Sequence, residues 1–101
     1  MAAFRIENAG PGRLAASGEL GFATAADALS AGLGLLAPGQ SWTMDLAGIT
    51  SGDSAGLAVL VEWLSAARGR GASLAYVAVP PQILAIARIS DLEQLLAPQS
   101  G

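Results

Sequence analysis

The chain has 101 residues, 52% hydrophobic and only 13% charged, with a formal net charge of −3. Ordinary soluble domains carry about 25% charge, so part of an apolar surface is expected to meet a partner. Cysteine, histidine and lysine are absent, all five basic residues being arginine, which excludes disulfides, thiolate and imidazole metal sites, Ser-His-Asp and Ser-Lys catalysis, Schiff bases and a Walker-type lysine.

The acidic balance argues against nucleic acid, whose recognition needs a concentrated basic face. No apolar run reaches the ~18–20 residues of a membrane span. Arg5 and Glu7 interrupt the start, so it does not resemble a signal peptide. The sequence therefore reads as one soluble, intracellular domain over residues 1–101, with a core of about 3–97.

Phe4 and Ile6 alternate with Arg5 and Glu7 as in a strand. Gly10-Pro11-Gly12 marks a turn, and Arg13–Glu19 reads as the hairpin partner. Thr24 is placed to cap a first helix, with Asp27 as a capping-box acid. Leu29, Leu33 and Leu36 give that helix a buried stripe before Pro38-Gly39 ends it, and Gly32 and Gly34 weaken it by up to ~1 kcal/mol each relative to alanine. Trp42–Leu46 alternates as a third strand and Ala47–Gly52 reads as a small-residue loop. Asp53 or Ser54 starts a long second helix that ends near Gly69-Arg70-Gly71. Ser73–Val79 is apolar on both faces, which places it inside the sheet. Pro80-Pro81 opens a third helix with Ile83, Ile86 and Ala87 inward. Asp91–Leu96 adds one turn before Pro98. The order ββαβαβα implies an α/β fold, a mixed sheet covered by helices.

Gly32-Leu33-Gly34-Leu35-Leu36-Ala37 matches G-x-G-x-x-A, but a dinucleotide site needs those glycines in a strand-to-helix turn, and here they sit inside a helical pattern. Asp45, Asp53, Glu62, Asp91 and Glu93 show no spacing of an acid pair. Asp45 and Asp53 flank a strand–helix loop, where they could hold a hard cation, or serve as caps, the commoner use. Asp53-Ser54-Ala55-Gly56 is the informative segment. At a helix N-terminus free N–H groups and the dipole favour negative charge, and the Ser54 hydroxyl either caps the helix or offers a partner-contact or phosphorylation point. Leu57, Leu60, Val61 and Leu64 form the core stripe of this helix. Val59, Trp63 and Ala66 fall on the other side, where a tryptophan reads as an interface anchor unless it packs beneath Asp91–Leu96.

Residues 44–57, reading MDLAGITSGDSAGL, resemble the signature of STAS domains: a strand ending in D-L, a short loop, then D-S-x-G-L. Leu14–Leu20, ending Ser17-Gly18-Glu19-Leu20, is similar to the family's early strand, and Gly71–Val77 to the strand after the signature helix. Asp53–Leu64 (DSAGLAVLVEWL), Ile83–Arg88 and Leu92 with Leu95-Leu96 resemble the MlaB-type branch. The resemblance implies a mixed four-stranded sheet with helices mainly on one side and no cofactor. It also implies a non-catalytic cytoplasmic subunit that binds and supports the ATPase of a phospholipid-transporting ABC complex at the inner membrane, contributing to outer-membrane lipid asymmetry. Thr50, Asp53, Ser54, Ala55, Gly56, Val59 and Trp63 form the expected partner surface. Other STAS proteins are anti-sigma factor antagonists whose matching serine is phosphorylated by a partner kinase. The largely apolar signature helix and the short end after Asp91–Leu96 depart from those. Self-association through an exposed apolar helix is also open.

Overall fold

The computed structural model of the chain describes residues 3–96; Pro98, read above as a stop, lies outside them. Strands β1 (Arg5–Gly10) and β2 (Arg13–Leu20) form an antiparallel hairpin. Helix α1 (Ala25–Leu35), strand β3 (Ser41–Gly52), helix α2 (Ser54–Gly69), strand β4 (Ser73–Val77), helix α3 (Pro81–Ile89) and the short α4 (Glu93–Leu96) follow. The sheet order is β1-β2-β3-β4, with β3 parallel to both β2 and β4. This is the mixed α/β arrangement that the sequence implies.

Period-two alternation sets the two faces of the sheet. Leu14, Met44 and Tyr76 stand in register across three strands and are all buried. Their neighbours Ala15, Asp45 and Val77 share the next row and stay partly or fully exposed. The helices therefore cover one face, with α1 against β1, α2 against β3 and β4, and the two helices in contact with each other. Each fully buried Leu, Val or Met contributes roughly 1.5–3 kcal/mol of apolar transfer. The core joins Leu14, Leu20, Met44, Leu46, Leu60 and Ile83 in one cluster.

Several local expectations are corrected. Ala47–Gly52 is not a loop: β3 runs on to Gly52, because it keeps pairing with β2 through shifts in register beside Ser17 and Gly18. β4 stops at Val77 and is an edge strand. Its apolar character comes from α2 on one side and from small Ala75 on the other, not from a central position. In α1 and its C-cap the deepest positions are Ala28, Gly32 and the cap residue Leu36, while Leu29 and Leu33 are only partly buried. Thr24 occupies the N-cap position but makes no side-chain cap; its hydroxyl donates to the Glu19 carbonyl at 2.9 Å and accepts from the Gly21 N–H at 3.1 Å. No capping box with Asp27 forms. Ile83 and Ala87 are buried in α3 as expected, and Ile86 is partly so. Gly32 and Gly34 lie inside α1, away from any strand-to-helix turn, so the dinucleotide pattern has no structural counterpart.

The close approach of α1 to α2 explains Gly32. A Cβ added there would lie 2.2 Å from Trp63 Nε1. The indole donates to the Leu29 carbonyl at 3.2 Å, so the ring both packs on and hydrogen-bonds to the neighbouring helix. At the far end, the Arg70 guanidinium donates to the carbonyls of Leu33 and Leu36 at 2.7 and 2.8 Å. It supplies the positive charge that the last turn of α1 itself lacks.

Candidate functional site

The end of β3 and the start of α2 form the corner marked out by the sequence. Asp53 is the N-cap of α2 in extended conformation. Its Oδ1 accepts from the N–H groups of Ala55 (2.9 Å) and Gly56 (3.2 Å), and its Oδ2 accepts from the N–H of Phe22 at 3.1 Å. One carboxylate thus satisfies two free donors of the helix start and one from the loop after β2. The hydrogen bond from Phe22 holds the Asp53 carboxyl below the usual carboxylate range, helped by those from Gly56 and Ala55 and opposed by desolvation.

Because Asp53 does the capping, Ser54 is left as the first helical residue. Its side chain is exposed, and its hydroxyl makes no hydrogen bond among the described residues. Thr50 is also exposed, its hydroxyl reaching the Gly18 carbonyl at 3.3 Å. Ala55 is half-buried. Gly56 is buried, and a Cβ there would lie 2.0 Å from the Leu20 carbonyl oxygen. Gly56 lets α2 pass close over the end of β2 and shows no side to a partner.

Val59 and Trp63 are corrected. They are 4% and 0% exposed, so neither lies on an outer face. The reason is that α2 is covered twice: Leu57 and Leu60 are buried with the sheet residues, while Trp63 meets α1 at Gly32 and stands 6.0 Å, centroid to centroid, from the Phe4 ring. Trp63 packs there rather than beneath Asp91–Leu96. Ala66 is half-buried. The residue that the sequence reading missed is Phe22, which is 87% exposed beside the Asp53 carboxylate. A lone apolar residue between Gly21 and Ala23, outside any periodic element, gave no signal.

The carboxylates do not assemble. Asp45 accepts from the Ala47 N–H at 2.8 Å, Asp53 is the cap just described, and Glu93 pairs with Arg88 at 2.7 Å. Among the described residues no group of three or more Asp or Glu is placed to hold a metal ion. An open hollow of about 400 Å³ lies among Val61, Leu64, Arg68, Leu74 and Leu95. It is not part of the Asp53 corner. No helix among the described residues is long and apolar enough to cross a membrane.

The corner is thus an ordered helix start with an exposed hydroxyl, at one end of a small mixed sheet covered by helices on one face. The family model for the MlaB-type STAS domain matches residues 5–97, and the chain belongs to that family. A search of curated proteins found no match. STAS domains are in general non-catalytic modules that bind partner proteins, and membership supports a protein-interaction or regulatory role here.

Proposed function

We propose that this chain is the cytoplasmic STAS component that binds and supports the ATPase of a phospholipid-transporting ABC complex, and that it docks through the Thr50–Ala55 corner. The observation that carries the reading is Ser54: exposed, at the first position of α2, with the capping role taken by Asp53. A free hydroxyl on a rigid helix start offers a partner a hydrogen bond at little entropic cost. Val59 and Trp63 are no longer part of this surface. The test is co-purification of the tagged chain from its native cells. An ATPase subunit is expected in the complex, and Ser54→Asp is expected to weaken its binding by about tenfold or more, since a charge at the centre of a contact is costly. Recovery with no ATPase subunit would sink the proposal.

The same exposed hydroxyl supports a second reading, an anti-sigma factor antagonist switched by phosphorylation of Ser54. Phosphate would add about −1.5 to −2 charges beside Asp53. This reading requires a phosphorylated pool visible in the intact mass of the native protein, removed by Ser54→Ala. A native protein that never carries phosphate and a Ser54→Asp variant that binds normally would together exclude it.

A further inference from the structure

We infer that Phe22 is the anchor of the docking surface, that Asp53 is the positioning residue that holds it there, and that the occupant is a protein surface with an apolar socket bordered by basic side chains. The inference rests on the reading of this corner as the docking site.

Phe22 is the most exposed aromatic side chain on the described fold, at 87%, yet its backbone is fixed. Its N–H is held by Asp53 Oδ2. The preceding Gly21 is buried and donates its N–H to Thr24 Oγ1 at 3.1 Å, while the Thr24 N–H donates to the Gly21 carbonyl at 3.0 Å. The Thr24 hydroxyl ties the same turn to Glu19. An apolar ring on a floppy loop would be unremarkable. A ring in water on a loop pinned from both sides is preorganised, so less ordering entropy is lost when a partner covers it. Aromatic anchors of this kind dominate interface energies when they enter a pocket.

Charge indicates what borders the pocket. The chain has no basic residue between Arg13 and Arg68. The segments around Phe22 and Asp53 contribute Glu19, Asp27 and Asp53, while α3, whose Ile83 packs on Gly52 and Gly56, carries Arg88, whose charge is paired with Glu93 at 2.7 Å. The nearest arginine in register is Arg5, opposite Ser17. Arg13 begins β2, and Arg68 and Arg70 lie where α2 gives way to β4, at the other end of the parallel strands. An acidic rim around an apolar anchor is complementary to a basic rim around an apolar socket.

The experiment titrates the full chain against the ATPase subunit of its transporter at low and high salt, with a thermal melt of each variant. Phe22→Ala is expected to raise Kd about tenfold or more with an unchanged melt, and Phe22→Tyr to restore binding. Asp53→Ser keeps a short N-cap but cannot reach the Phe22 N–H. It is expected to raise Kd in the wild-type background and to add nothing once Phe22 is alanine, because the two act through one anchor. Kd is expected to rise with salt. Normal binding by Phe22→Ala alongside impaired binding by Ser54→Asp overturns the inference and leaves the docking reading standing. An ATPase subunit that fails to bind the wild-type chain overturns both.

Discussion

Asp53 illustrates how one side chain can set local structure and its response to acid. Its folded pKa is lowered by the N–H groups of Phe22, Gly56 and Ala55. A lowered folded pKa means that the unfolded chain takes up the proton first as pH falls. The stabilisation is therefore fully present above the unfolded value near 3.8 and is lost as pH drops through the folded value. Asp53→Asn removes the charge while leaving an oxygen for the helix N–H groups. In urea melts between about pH 2 and 5 the wild type is expected to lose more stability than Asp53→Asn. Parallel curves for the two proteins would show that the carboxylate has no such role. Asp53→Ala, which removes the cap outright, is expected to cost about 1 kcal/mol at neutral pH. The helix start was legible in the sequence, but the choice of cap between Asp53 and Ser54 was not, since both residue types cap helices. The third hydrogen bond was not, because Phe22 is 31 residues away and no local rule brings the loop after β2 to the start of α2.

At the scale of elements, periodicity placed every helix and the hairpin, but it could not rank neighbours. Ser73–Val79 reads as a central strand because it is apolar on both faces, and composition does not distinguish a small residue such as Ala75 on an open face from one beneath a helix. Gly32 is the clearest case. Helix propensity alone says that Gly32→Ala stabilises α1 by up to ~1 kcal/mol. The structure reverses the sign, since the new methyl would lie 2.2 Å from the Trp63 ring. Overpacking of that kind costs roughly 1–3 kcal/mol, so Gly32→Ala is expected to lower the urea midpoint. Gly34→Ala is the internal control: nothing lies within 4 Å of its added Cβ, and it is expected to be neutral or stabilising. Equal effects at the two positions would mean that α1 does not rest on Trp63.

The whole molecule decides what Trp63 does, and with it which surface is left for a partner. A helix on one layer of sheet needs one apolar stripe, and the second stripe of α2 then looks like an interface. Here α1 lies beside α2 in the helix layer, itself touching β1, and Phe4 meets the Trp63 ring, so the second stripe is core. That arrangement depends on a glycine in one helix meeting a tryptophan in another 31 positions on, a match invisible until the two helices are side by side. Trp63→Glu is therefore expected to unfold the protein rather than to break one contact. Losing a large buried ring costs about 3–5 kcal/mol, and a carboxylate in its place adds the penalty of an unpaired buried charge. Against a total stability of about 5–15 kcal/mol for a domain of this kind, the folded state would be largely lost. Circular dichroism and size exclusion distinguish this from a surface effect: Trp63→Glu should lose cooperative melting and elute early, whereas Ser54→Asp should melt and elute like the wild type. A folded, monodisperse Trp63→Glu protein that merely fails to bind its partner would put the tryptophan back on the outside of α2 and α1 somewhere else.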